Sequence, residues 1–524
     1  MGSLTPAPAP QRGPHVPVPD PSSLLGRAGP LIAARLTSAC ITLFIPLVLA
    51  RMMPQAEYGT YKLLFLVSMT ASAVLPLGVT QSLYFFVPRA REPRVFFGQT
   101  LVFMLFAGSV GGLALFLGAP ILAHALSTPG LLDHRAELAL FTGLVVAAAP
   151  LETSITSQGK TRLAALSYLV SDTIRTGALI LPALSGFGLH GMLRAMVGWV
   201  SLRFVTVWAI TILGQRGRLW DRQLFRQQLA YALPFGMAII FAIPQQYAHQ
   251  FIVAHAVGPA LFAIYAVACF ELPFVDLFYT PTGEVLMVQL GELERAGRRG
   301  EGAAAFRSAV ERLGLLLLPP IAFFFGVAPA FVVTMFGPRF AEAAPLFRIC
   351  LFVMPLGLFP LDATLRALGE TRYILVSYLL KAAVSIPVVW LSVERFGLPG
   401  AAFAYVASEL LGRALLGWRI PRALSSPGHV VRARDLLPAR ALARTTLVAV
   451  ALAAAGAATY HVAARFEVAP AGSFLHRVFA LGVAGSVFAV GYLWQLLASG
   501  QQLPGFIGTL LARRRARRTV TVTP

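Results

Sequence analysis

Apolar stretches, each long enough for a bilayer-spanning helix, follow one another along almost the whole chain and are parted by short polar turns. A hydrocarbon core about 30 Å thick needs roughly 20 apolar residues in a helix, and fourteen such stretches are predicted. The first seven run Pro30 to Ala50, Leu63 to Val87, Phe97 to Leu117, Leu138 to Ser157, Leu163 to Leu184, Leu193 to Leu213 and Tyr231 to Ala254. The other seven run Leu261 to Leu290, Leu313 to Val333, Pro345 to Leu365, Tyr373 to Val393, Ala401 to Trp418, Thr445 to Val462 and Val478 to Leu497. The expected fold is therefore an all-α polytopic membrane protein, since a helix satisfies its backbone groups within each crossing.

Composition agrees: 57% of the 524 residues are hydrophobic and 12% charged, about half the charged share of a soluble domain. The mean hydropathy is +0.72. A formal charge of +21 could point to nucleic acid, but the basic residues sort by loop. With the N-terminus in the cytoplasm, most of the 43 Lys and Arg fall in the inner segments, as the positive-inside rule requires. Both termini are expected to be cytoplasmic, in the inner membrane of a bacterium. The run from Arg513 to Arg518 reads as an anchor beside anionic lipid, and no nucleic-acid partner is expected. Met1 to Pro21 is rich in Pro and lacks the apolar core of a signal peptide, so it is expected to be disordered, with the first span as the insertion signal. Cys40, Cys269 and Cys350 stand in apolar helices with no metal or disulfide spacing and read as small packing residues.

An internal repeat divides the chain. At an offset of 210, Pro150-Leu151-Glu152 matches Pro360-Leu361-Asp362, and Gly159-Lys160-Thr161-Arg162 matches Gly369-Glu370-Thr371-Arg372. Ser167-Tyr168-Leu169 matches Ser377-Tyr378-Leu379, Arg203 pairs with Arg413, and Phe187-Gly188-Leu189 matches Phe396-Gly397-Leu398 at 209. Spans one to six thus repeat as seven to twelve. An even number of spans gives a parallel repeat about an axis along the membrane normal. The predicted organisation is a Pro-rich cytoplasmic tail at 1–29, six-helix bundles at 30–228 and 229–420, a basic linker with two further helices at 421–498, and a basic tail at 499–524.

Three stretches lie at matching points between spans: Leu49-Ala50-Arg51 through Pro54 to Glu57-Tyr58-Gly59-Thr60-Tyr61, Phe336-Gly337-Pro338-Arg339-Phe340-Ala341-Glu342-Ala343, and Leu368-Gly369-Glu370-Thr371-Arg372. With the span count, they make the chain resemble the polysaccharide-transporter branch, the Wzx-like O-antigen flippases, of the multidrug/oligosaccharidyl-lipid/polysaccharide exporter superfamily. The resemblance covers Gly29 to Leu497. It implies two helical bundles around a cavity, cavity arginines in the first bundle, a lipid-linked oligosaccharide as substrate and no cofactor. The position in the seventh helix where the family often carries an acid is occupied by Gln245, Gln246, His249 and Gln250.

An ionisable group in a span needs a partner, a wet cavity or a function. A lipid diphosphate needs compensating cations, and Arg grips phosphate oxygens in bidentate fashion. Arg35, Arg175, Arg203 and Lys381 are the candidates. Arg35 also stands close enough to the cytoplasmic edge to snorkel. Asp172 is one turn from Arg175, which suggests an internal pair, whereas no carboxylate stands one turn from Arg203, which is expected to have charge to spare. Lys381 has no acidic neighbour on its own helix and needs a partner from another. The stripe of Gln245, Gln246, His249 and Gln250, about 140° wide after Pro244, suits sugar hydroxyls or interhelical hydrogen bonds. Asp276, Thr280 and Glu284 share one face of the eighth helix beside Pro273 and Pro281, which are expected to bend it, and suit H+ or Na+ coupling or a packed polar seam. The repeat-related Glu152 and Asp362 suit an architectural or a proton-binding role.

The outer loops are short and hold no nucleophile, phosphate-loop or metal-ligand pattern, so an enzyme is not expected. The expected function is a flippase for a lipid-linked oligosaccharide of polyprenyl-diphosphate type. Membrane lipid is a further expected partner, with a polysaccharide polymerase and other envelope-assembly proteins beside it. The alternative is an ion-coupled multidrug exporter of the same architecture, against which the balance of acids and bases within the spans argues.

Overall fold

The computed structural model describes residue 37 and residues 41–498, apart from 91, 214–216, 427–428, 467–469 and 471. The two expected tails and nearly half of the first span, with Arg35 and Cys40, lie outside the described residues. Among those described, the regular structure is helical, and the only strand-like feature is a bridge between Ser426 and His429.

Among the described residues, nine helices are long and apolar enough to cross a bilayer, or ten when Gln55–Val74 and Val79–Arg89, bent by 43°, count as one crossing. Two of them are too long for a single crossing. Arg222–Ala268 has 47 residues and Thr371–Leu424 has 54, so at 1.5 Å per residue each would reach about 70 Å or more, over twice the hydrocarbon thickness. Each contains one residue outside helical geometry, Gly258 with φ 72° and Gly397 with φ 61°. A side chain would strain this left-handed backbone, and a proline follows closely in both cases, Pro259 and Pro399. These glycines lie between predicted spans seven and eight and between eleven and twelve.

Other predicted spans are broken. The eighth, read as one bent helix, ends a first segment at Ala268 and restarts as Phe274–Arg295. Its break falls at 269–273, while Pro281 lies inside the continuing helix. The fourth is divided at Pro150 into Arg135–Ala148 and Pro150–Ser157, and the tenth into Ala343–Leu351 and Leu361–Ala367. Breaks of this kind survive in a membrane where they are packed in protein or line a cavity.

The largest core joins the two halves of the repeat. Leu49, Tyr58, Leu63 and Met192 from the first half pack in one cluster with Tyr265, Phe336, Phe340 and Ala401 from the second. The seventh helix begins against the first half. Gln228, fully buried, accepts from Gln99 at 2.7 Å and donates to Ser82 and Thr100 at 2.8 Å. Helices Ala439–Ala463 and Phe474–Ala498 pack on Gly302–Gly326, with Phe488 stacked on Phe323 at 4.6 Å and the Tyr492 hydroxyl donating to the Leu316 carbonyl at 2.9 Å. Outward-facing side chains on Pro93–Ala125 are apolar, among them Phe106 at 66% and Ile121 at 75% exposure. An apolar belt of this kind belongs in lipid, and the chain is a multi-pass membrane protein.

Candidate functional site

The stretches that carried the family resemblance meet one another across the two halves. Arg51 donates to the Leu47 carbonyl at 2.8 Å and to the Met335 carbonyl at 2.9 Å, and also to that of Thr334. Arg339 answers from the other side, donating to the carbonyls of Met53 at 2.7 Å and Arg51 at 2.9 Å. Tyr58 is fully buried and meets Phe340 edge-on at 5.5 Å. At Gly59 a Cβ atom would lie 1.8 Å from the Pro259 carbonyl oxygen, so only glycine allows the two backbones to touch there. Glu57 accepts from the Leu189 amide at 2.8 Å. The result is a latch between the halves, built from the turns that follow the first, seventh and ninth predicted spans.

A cavity of about 350 Å³ lies within the second half. The seventh helix lines it with Gln245, Gln246, His249 and Gln250, so the polar stripe does face one space. His249 is held there by its neighbours: its Nδ1 is 2.8 Å from the Tyr265 hydroxyl and its ring stacks on Tyr405 at 4.0 Å. The opposite wall carries Lys381, Glu409 and Arg413, with Tyr378 and Asp362. Lys381 finds the interhelical partner that its burial demands in Glu409, at 2.6 Å. Gly412 leaves room for it, since a Cβ there would come within 2.8 Å of Lys381 Cδ. Arg413 donates to the Phe359 carbonyl at 3.3 Å, just before the break at Pro360. Asp362 accepts from the Tyr378 hydroxyl at 3.2 Å and is ion-paired with Arg366.

The corresponding region of the first half holds an ion pair of its own. Arg203 makes a bidentate pair with Glu152, both contacts at 2.7 Å, donates also to the Ser171 hydroxyl, and lies over the Trp199 ring at 5.4 Å. The expectation of spare charge on Arg203 is thus overturned. Its partner comes from another helix, 51 residues away, where a search of its own helical turn could not find it. Arg175 pairs with Asp172 at 3.2 Å, one turn away as expected.

Asp276 and Glu284 are exposed and are not part of this cavity's lining, although Asp276 lies near enough to interact with Glu271 and Tyr247, which are. The acid that the eighth span contributes to the cavity is Glu271, in the break at 269–273. Sequence reasoning passed over it because it looked for carboxylates on a helix face, and its signal was the adjacent Pro273. The break also brings Cys269 Sγ to 3.7 Å from Cys350 Sγ as free thiols.

Residues 48–345 match a family model described as polysaccharide biosynthesis protein. No curated protein matches the chain by sequence. Among solved structures, the chain is similar to the lipid II flippase MurJ in an inward closed conformation, with a TM-score of 0.66, 11% identity, and coverage of 89% of this chain and 99% of that one. It is similar also to a multidrug resistance MATE family transporter of the MOP superfamily in an inward-facing conformation, at 0.58 and 15% identity, over 75% of this chain and 98% of that one. A MOP superfamily transporter from Pyrococcus furiosus gives 0.51 and 14%, over 78% and 97%. At these identities the likeness is one of fold.

Proposed function

Because the chain belongs to the polysaccharide biosynthesis protein family, we propose that it is a flippase carrying a lipid-linked oligosaccharide of polyprenyl-diphosphate type from the inner to the outer leaflet of a bacterial inner membrane. The observation that carries this reading is the cavity, in which the amides of Gln245, Gln246 and Gln250 face the cations Lys381 and Arg413. Amides exchange hydrogen bonds with sugar hydroxyls, and cations compensate phosphate.

The mechanism is alternating access of the two halves. The Arg51 and Arg339 latch holds the outer end shut while the headgroup is taken up from the cytoplasmic side, where both termini lie. Opening then breaks the hydrogen bonds to the carbonyls of Met53, Thr334 and Met335. Of the phosphate-binding set, Arg35 supplies the entry charge, whereas Lys381, Arg203 and Arg175 act by exchanging Glu409, Glu152 and Asp172 for phosphate oxygens. Exchange of one anionic partner for another spares a buried cation the cost of standing alone. Glu271, Asp362 and Glu409 are the acids available to an H+ or Na+ coupling step in the cavity. Asp276, which lies near Glu271, and Glu284 stand outside that lining and are secondary candidates for the step. The polysaccharide polymerase and other envelope-assembly proteins are partners on this reading.

The carboxylates of Glu271, Asp362 and Glu409 in one cavity favour a second reading, ion-coupled export of organic cations. Proteoliposomes separate the two. Purified protein with a fluorescent polyprenyl-diphosphate oligosaccharide is expected to make the probe accessible to an external glycosidase faster than protein-free vesicles do. A rate equal to that of empty vesicles, together with proton- or sodium-driven efflux of a cationic dye, would overturn the flippase reading.

A further inference from the structure

A second cluster of chemistry-bearing side chains lies away from the cavity, beside the Glu57 contact of the latch. His134 directly precedes the helix Arg135–Ala148, and Glu137 stands one turn further on, so the two share a face. His190 is in the first turn of Gly188–Leu213. One donor atom from each of these residues lies within 4.8 Å of the others. His190 Nδ1 is 3.2 Å from Glu137 Oε1, and the two imidazole rings have centroids 4.1 Å apart. The spacing in sequence hides the set, because His190 is 53 residues from Glu137.

One feature of the cluster points to a ligand. The His134 side chain is buried, with 8% of the residue exposed, and its Nδ1 has no hydrogen-bond partner. An imidazole nitrogen cut off from water beside a second imidazole and a carboxylate is unsatisfied in the protein alone, and a metal ion would satisfy it. Glu57 and Asp133 add negative charge around His134. Arg194 is the one opposing group, with Nε 3.6 Å from Glu137 Oε1 and a side chain 75% exposed, free to swing away.

We infer that His134, Glu137 and His190 form a binding site for a divalent transition-metal ion of the zinc class. Two imidazoles and one carboxylate suit Zn2+ and disfavour Mg2+ and Ca2+, which take oxygen ligands. Bonds of about 2.0–2.2 Å to a tetrahedral ion need donor atoms roughly 3.4 Å apart, which rotation of the half-exposed His190 and of Glu137 supplies without backbone movement. Bound metal would pin the turn before the fourth span to the start of the sixth.

The test uses full-length protein in detergent, purified through a tag without histidine and stripped with a chelator. Zn2+ is titrated against a fluorescent competing chelator. One ion per chain is expected, with affinity falling at least about tenfold in His134→Ala and in Glu137→Gln. Arg194→Ala, which removes the competing cation, should tighten binding several-fold, a gain that misfolding cannot imitate. Zn2+ should also raise the melting temperature of wild type, while Mg2+ at the same concentration leaves it unchanged. Unaltered zinc affinity in the His134→Ala, His190→Ala double variant would overturn the assignment. So would weaker binding in Arg194→Ala, or loss of the ion in His255→Ala, whose ring lies instead against the Ala125 carbonyl.

Discussion

Lys381 and Glu409 give the cavity its most measurable property. The ammonium is 2.6 Å from the carboxylate, with the two side chains 8% and 20% exposed. Removing one member of a buried pair costs about 3–5 kcal/mol, because the other charge is left without compensation. Glu409 retains some contact with the wet cavity, so Lys381→Met should sit below that range, at about 2 kcal/mol, and Glu409→Gln, which strands the more deeply buried ammonium, at about 3 kcal/mol. The double variant removes both charges and should cost about 2–3 kcal/mol in all, leaving a coupling of roughly 2 kcal/mol. Unfolding in mixed micelles, followed by the loss of helical circular dichroism, measures all four proteins. If the single costs add to the double within about 0.5 kcal/mol, the residues act independently and the reasoning fails.

At the latch, Arg339→Ala removes both hydrogen bonds to the Arg51 segment, and cysteine pairs placed across the outer ends of the halves should then react with an impermeant thiol reagent more readily than in wild type; unchanged labelling would deny the latch its role. Gln228→Leu strips partners from Ser82, Gln99 and Thr100 in a buried site and should destabilise by about 2 kcal/mol, read as a lower melting temperature with the helix content preserved. Glu271→Gln should alter the pH or sodium dependence of translocation, whereas Asp276→Asn and Glu284→Gln should leave it intact; the reverse pattern would return ion coupling to the exposed face of the eighth span.

What the sequence made legible was whatever a single helix or a single register reports. Runs of apolar residues gave the membrane-spanning helices, and the offset of 210 paired Glu152 with Asp362 and Arg203 with Arg413 before any contact was known. Both arginines reach the break in a partner span, Arg203 through Glu152 and Arg413 through the Phe359 carbonyl. Illegible were the contacts between helices. Nothing near Arg203 announces Glu152, nothing near Lys381 announces Glu409, and His134 gives no sign of His190. The break in the eighth span was also misplaced, because Pro273 and Pro281 were both read as bending it. Pro281 lies inside an intact helix, while Pro273, which follows Glu271 and Leu272, marks a true interruption.

The halves differ at two positions of the repeat beside this pair. One turn before Arg203 stands Trp199, and one turn before Arg413 stands Glu409; at the offset of 210, Ser171 corresponds to Lys381. In the first half the Trp199 indole donates to the Ser171 carbonyl at 2.9 Å, while Arg203 pairs with Glu152. In the second half a large apolar ring is replaced by a carboxylate that pairs with Lys381, and the cavity opens beside that pair. The double variant Lys381→Ser, Glu409→Trp therefore rebuilds the first-half set in the second half. It removes both charges together, so the protein should remain folded and melt below wild type by about as much as the Lys381→Met, Glu409→Gln variant, whereas Glu409→Trp alone strands the ammonium and should melt lower still. With the cavity filled by the indole, translocation of the fluorescent lipid-linked oligosaccharide at matched protein level should fall to that of empty vesicles. A folded double variant that translocates at the wild-type rate would mean that the substrate does not use this cavity.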